Sequence, residues 1–152
     1  MIREILSYPD PILRELSQPL LSVGPDTAEL ARDMLETMYA AAGRGLAAPQ
    51  IGVLQRVFVM DETWKTAAAD PQVFINPEIL DRARTVQTNS EACLSIPDRE
   101  VEVARPDWIT LLWLTPDGAL KRGKFNGIAA AIVCHEIDHL DGRLILDLET
   151  TF

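Results

Sequence analysis

The chain has 152 residues, 47% of them apolar and 24% charged, which suits one soluble domain over residues 1–152 and argues against disorder. Its 14 basic and 23 acidic residues leave a net charge of −9, a field that repels phosphate backbones and anionic lipid and so disfavours direct nucleic-acid binding. Met1–Ser7 lacks the pattern of a secretory signal and Ile128–Cys134 is too short an apolar run to cross a bilayer, so a cytosolic location is expected and no membrane contact.

In chain order, Asp26 followed by Glu29 resembles a helix N-cap with a capping box. Leu30, Met34, Met38 and Ala41 continue at helical spacing until Gly43 offers a stop, which predicts a helix over about Thr27–Ala42 with its methionines as core filler. β-branched segments follow: Arg56–Met60, Val73–Ile75, Thr85–Gln87, Glu100–Val103 and Trp108–Leu114 read as strands. Thr115-Pro116-Asp117-Gly118 is a turn signal that folds Trp108–Leu114 back on Leu120–Phe125. The basic cluster Lys121, Arg122 and Lys124 beside that turn reads as a solvated loop rather than a binding patch. A second helix is predicted from a cap at Asn126 to Gly142. Strands gathered between an early and a late helix argue an α+β fold, with antiparallel β-sheets packed around the late helix.

That second helix carries His135-Glu136-Ile137-Asp138-His139, and these are the only 2 histidines in the chain. Residues four apart share a helix face with Cβ atoms roughly 5–6 Å apart, so both imidazoles can reach one cation. Glu136 lies about 100° round the helix, where it can hold a water beside the ion without ligating it. Ala131, one turn before His135, leaves room for a substrate side chain next to Ile128 and Ile132.

A catalytic metal typically takes three protein ligands and keeps a fourth position open. Glu91-Ala92-Cys93-Leu94-Ser95 is the best source of the third, because a thiolate binds soft and borderline cations strongly. In the cytosol the chain's 2 cysteines read as thiols or ligands rather than a disulfide, although Cys93 alone would also pass for a buried structural thiol. Gly43-Arg44-Gly45-Leu46-Ala47-Ala48-Pro49-Gln50 offers backbone that a ligand can approach and an amide, Gln50, that could stabilise an oxyanion. Its glycines could equally just end the first helix.

Together these segments resemble the peptide deformylase family, the enzymes that remove the formyl group from the starting methionine of new bacterial and organellar proteins. The family's G-x-G-[apolar]-A-A-x-Q loop is matched by Gly43–Gln50, its E-G-C-[apolar]-S motif by Glu91–Ser95, and its Q-H-E-x-D-H motif by Cys134–His139, in the same order. Tyr8–Arg14 also looks like the family's opening segment, so the resemblance runs to about Glu149.

The resemblance implies that Cys93, His135 and His139 bind one divalent metal, natively Fe2+, with Zn2+, Ni2+ or Co2+ able to substitute. It implies Glu136 as the general base and acid, with Gln50 and the backbone N–H of Leu94 stabilising the oxyanion. The substrates would be N-formylmethionyl peptides or nascent chains, bound by Gly43, Arg44, Gly45, Glu91, Ala92, Ile128 and Ile132. Asp138 is either paired with Arg105, as in the family, or solvated.

Several positions depart from the pattern. Ala92 replaces a glycine, Cys134 a glutamine and Arg44 an apolar residue, while Glu100 lies near where many relatives carry a substrate-facing arginine that Arg99 could supply. Arg44 could cover the pocket with its stem or select acidic residues further along the substrate. The chain ends about ten residues after Gly142, where many relatives continue into a helix implicated in ribosome docking, so ribosome association is not expected. Nothing in the sequence demands more than a monomer. The competing readings are a metal amidohydrolase or peptidase acting on another acyl group, and an inactive relative that binds without turnover.

Overall fold

The structure, a computed structural model, describes residues 1–149. Its strands are β1 (Gly45–Ala47), β2 (Val57–Met60), β3 (Gln72–Arg82), β4 (Val86–Cys93), β5 (Ile96–Pro106), β6 (Trp108–Leu114) and β7 (Leu120–Asn126), with helices α1 (Pro25–Ala40) and α2 (Gly127–Leu140) at either end of the strand region. The five-stranded sheet has the order β1-β2-β3-β6-β7, and β4-β5 form a second, two-stranded sheet. Every ladder is antiparallel. The α+β expectation is met, with α2 at the centre.

Strand alternation explains why β2 is buried on both faces. Successive side chains point to opposite sides of a sheet, and here Phe58 and Met60 join Ala130, Val133, Ile137 and Leu140 of α2 in one cluster. Val57 and Val59 face the other way, onto Leu30, Met34 and Met38 of α1. Both methionines are fully buried, as expected for filler. A third cluster, with Leu13, Cys93, Ile96, Val101, Val103, Leu144 and Ile145, fixes the β4-β5 sheet against both ends of the described chain.

Helix ends differ from expectation in instructive ways. α1 begins at Pro25 with Gly24 as its N-cap, not at an Asp26 cap, because proline's fixed φ and missing N–H suit the first helical position. Its C-terminus closes through Ala42 N to Tyr39 O and Gly43 N to Met38 O, and Ala42, not Gly43, takes the left-handed conformation at φ 57°. α2 uses the same closure with Gly142 at φ 74°. Asn126 does precede α2, but its side chain makes no capping hydrogen bond.

Strand limits also moved. β6 and its hairpin with β7 lie where predicted, with Leu114 opposite Leu120. β3, β4 and β5 extend well beyond the predicted segments, and the short β1 was not foreseen. Lys121, Arg122 and Lys124 stand on strand β7 at the sheet edge rather than in a loop. Lys124 Nζ lies 4.5 Å from the centre of the Trp108 ring.

Candidate active site

α2 presents His135 and His139 on one face, and β4 ends at Cys93 against them. The Sγ of Cys93 and one nitrogen from each ring lie within 4.8 Å of one another, and all three residues are buried. Cys93 Sγ is 3.3 Å from His139 Nε2. His135 turns its Nδ1 to Glu91 Oε1 at 2.9 Å, which leaves Nε2 for an ion. A thiolate and two imidazoles, one oriented by a carboxylate, form a donor set suited to a divalent cation. The residues present fit such an ion.

Arg105 holds that carboxylate in place. Its Nε and Nη2 donate to Glu91 Oε2 and Oε1 at 2.9 and 2.8 Å, and its Nη1 donates to Asp138 Oδ2 at 2.5 Å. The fork is thus bidentate to β4 and bonded once to α2. Burial alone would raise the Glu91 pKa, but Arg105 and His135 outweigh it and hold the group at about 2. Asp138 is therefore paired rather than solvated. Glu91 borders the cleft as expected, yet its carboxylate is committed to Arg105 and His135.

Burial lifts Glu136 to about 7, against the opposing pull of His135. Its Oε1 has no hydrogen-bond partner among the described residues, an arrangement costly enough to signal use. The other oxygen sits where a side chain on Gly45 would be: a Cβ there would stand 2.5 Å from Glu136 Oε2. A Cβ on Gly43 would meet Leu94 Cδ1 at 2.7 Å. What approaches the two glycines closely is thus protein, the general-base candidate and the residue after the cysteine.

Gln50 sits in a one-turn helix, Ala48–Ile51. Ala47 N donates to its Oε1 at 3.0 Å, so the amide nitrogen must face the other way, toward Ser95 Oγ at 3.0 Å and Cys93 Sγ at 3.6 Å. The N-terminal segment straps this corner, with Leu6 N donating to Gln50 O and Tyr8 N to Ser95 O, each at 2.7 Å. Ser95, fully buried, had not been singled out from the sequence.

A cleft of about 890 Å³ opens above these groups. Gly43, Arg44, Gly45, Gln50, Glu91, Ala92, Cys93, Leu94, Ile128, Ile132, His135 and Glu136 all line it, and Ala131 floors the gap between the two isoleucines. His139, 1% exposed, is not part of the lining and reaches the site through Cys93. Cys134 points into the core, where burial pushes its thiol up to about 11 and keeps it unreactive. Lys65 on the cleft rim went unnoticed in the sequence, because it reaches the site through a loop whose course depends on tertiary contacts.

This sequence and this fold have counterparts among known proteins. The peptide deformylase of Maricaulis maris is 47% identical over 96% of this chain and 84% of its own length. The crystal structure of the Thermotoga maritima peptide deformylase superposes with a TM-score of 0.93 at 36% identity, covering 99% of both chains. A class I type b peptide deformylase from Acinetobacter baumannii, crystallised with Met-Ala-Ser bound, superposes with a TM-score of 0.90 at 29% identity, covering 97% of this chain and 98% of that one. The sequence model of polypeptide deformylase matches residues 2–150, and with its buried Cys93, His135, His139 cluster this chain belongs to the polypeptide deformylase family of metal-dependent hydrolases.

Proposed function

We propose that the cleft hydrolyses the formamide of N-formylmethionyl peptides, taking up one water and releasing formate and a peptide with a free amino terminus. The observation that carries this reading is the buried Cys93, His135, His139 cluster beside a carboxylate oxygen of Glu136 that lacks any partner among the described residues. Cys93, His135 and His139 would hold one divalent cation, Fe2+ natively on the family pattern, with Zn2+, Ni2+ or Co2+ able to replace it. Such an ion would polarise the acyl oxygen and lower the pKa of a bound water toward neutrality.

Glu136 takes the proton from the attacking water and delivers it to the departing nitrogen, work that typically contributes about 10²–10⁴ in rate. The formyl oxygen gains negative charge as its carbon becomes tetrahedral. Gln50 Nε2, aimed by the Ala47 N–H on its oxygen, and the backbone N–H of Leu94 are the donors assigned to that charge. Ile128, Ile132 and the small Ala131 receive the methionine side chain, while the backbone of Gly45, Glu91 and Ala92 borders the peptide. The Met-Ala-Ser held by the Acinetobacter baumannii relative has the form of such a product. We place the reaction on new chains in the cytosol, carried out by a monomer; no helix among the described residues is long and apolar enough to cross a membrane.

The test is formate release from formyl-Met-Ala-Ser by the metal-loaded protein, with acetyl-Met-Ala-Ser and unblocked Met-Ala-Ser as controls. Formate from the first alone is the expected result. Acetate released at a matching rate would transfer the site to a general amidohydrolase, and no acid from either blocked peptide would remove the assignment.

A further inference from the structure

We propose that the rim of the cleft formed by Arg44 and Lys65 is a carboxylate-recognition site, so that formyl-Met substrates with an acidic side chain in the residues after methionine are processed in preference to neutral or basic ones. This rests on the deformylase reading above and adds a substrate class to it.

The juxtaposition is built, not incidental. Asp61, fully buried at the end of β2, organises the turn that follows it. Its Oδ1 accepts from Thr63 N and Trp64 N, both at 3.2 Å, and its Oδ2 accepts from Asp70 N at 2.9 Å and from Tyr39 Oη at 2.5 Å. Trp64, held edge-on against Tyr39 with ring centres 5.2 Å apart, donates its Nε1 hydrogen to Gly43 O at 2.9 Å. Asp61 N donates to Arg44 O at 2.9 Å. The loop carrying Lys65 is therefore bonded to the same two residues that place Arg44 on the cleft wall, and both cations line one cavity.

The chain carries a net charge of −9, yet Arg44 and Lys65 take part in no ion pair among the described residues. The third rim cation, Arg99, is 3.4 Å from Glu149. On β5, Asp98 and Glu100 also line the cleft, the latter accepting from Ser90 Oγ at 3.1 Å. Arg44 and Lys65 thus form a wall of positive charge, whereas the β5 residues carry both signs, with Arg99 between Asp98 and Glu100. An extended peptide leaving the methionine pocket gains from presenting carboxylates to the first wall and loses from presenting ammonium groups to it. Exposed pairs of this kind are worth about three- to tenfold in the specificity ratio when two act together.

The experiment compares kcat/KM for C-terminally amidated formyl-Met tetrapeptides carrying Asp, Asn or Lys at each successive position after methionine; amidation removes the terminal carboxylate as a competing source. The proposal expects the Asp peptide to exceed its Asn counterpart about three- to tenfold at one or more positions. It also expects that ratio to shrink toward one as salt rises from 0.05 to 0.5 M, values spanning roughly 14 to 4 Å of screening length. In an Arg44→Glu, Lys65→Glu double variant the Asp-to-Lys ratio should invert, a readout internal to each protein and independent of its overall rate. Equal rates for Asp and Asn at all positions would overturn this inference and leave deformylation standing. Formate from none of the peptides would overturn the deformylase reading itself and this inference with it.

Discussion

Gly45 and Glu136 occupy one space: a Cβ on the first would lie 2.5 Å from a carboxylate oxygen of the second. The glycine of β1 is therefore the floor against which the general-base candidate of α2 rests. Ile132 Cγ2, 3.1 Å from the same point, closes the remaining side. Gly45→Ala should push the carboxylate off its position while keeping the fold and the bound metal. A displacement of about 1 Å can cost 10²-fold in rate, so kcat is expected to fall about ten- to a hundredfold with metal content unchanged. An alanine variant with full activity would remove the packing role assigned to Gly45.

Separating metal binding from proton transfer needs two variants. Cys93→Ala deletes one of three donors that cluster within 4.8 Å and should abolish tight metal binding, measured by metal analysis after gel filtration. Glu136→Gln keeps the shape and the donor set, so it should retain the metal and lose most turnover. Full metal occupancy in Cys93→Ala would refute the ligand assignment, and a fast Glu136→Gln enzyme would refute the base.

Arg105 ties Glu91 of β4 to Asp138 of α2, with only 5% of its side chain exposed. Replacing it by methionine leaves Asp138 without its ion-pair partner and Glu91 with only His135, both poorly solvated, which typically costs about 3–5 kcal/mol. Lysine should not rescue it, since an ammonium cannot reproduce the bidentate fork. Urea denaturation reads the stability loss. Because Glu91 also orients His135, metal affinity should drop by about 10- to 100-fold in parallel.

What could be read from the sequence divides along physical lines. His135, Glu136 and His139 were legible because a helix converts their spacing into one face, Gln50 because glycines and a proline mark the loop that carries it, and Cys93 because a thiol is the donor that completes a three-ligand site. Trp108–Leu114 was legible because nearly all of its residues are apolar and its turn residues follow directly, although only Ile109 and Leu111 are buried. Of β4 only the start, within Thr85–Gln87, was: its side chains alternate between exposed and half-buried with only Cys93 buried, so the rest carries almost no hydrophobic signal. Arg105 was visible as a partner for Asp138 only through the family pattern; its bidentate tie to Glu91, which pairs with Val101 and not with Arg105 across β4-β5, could be read from neither spacing nor register.

The two helix C-termini offer a matched pair of stability tests. Ala42 sits at φ 57°, a conformation that costs an L-residue roughly 1–2 kcal/mol, so Ala42→Gly should stabilise by about 0.5–1 kcal/mol after the extra chain entropy of glycine. Gly142 sits at φ 74°, and a Cβ there would meet Arg14 O at 2.5 Å, so Gly142→Ala should destabilise by more than the conformational cost alone. Thermal melts should therefore shift in opposite directions. Shifts of the same sign would show that the cap conformations do not govern these ends.

The Tyr39–Asp61 bond beneath the Lys65 loop should leave a signature in pH. Burial would raise the Asp61 pKa, but the Tyr39 hydroxyl and the N–H groups of Asp70, Thr63 and Trp64 hold it below the ordinary 3.8. Burial first, then Asp61, pushes Tyr39 from 10.0 up to about 12. A depressed carboxylate contributes stability that is full above its unfolded pKa and fades as pH falls through the folded one, whereas a raised phenol contributes fully below its unfolded value and fades as pH climbs from 10.0 toward 12. The stability difference between the native chain and Tyr39→Phe should thus be widest from about pH 5 to 9, at about 1.5–3 kcal/mol for a hydrogen bond to a charged acceptor. It should narrow at both extremes, as followed by urea midpoints across the range. A difference that stays flat from acid to alkali would mean that the hydroxyl acts only as packing volume, and that the loop carrying Lys65 is held by the backbone donors alone.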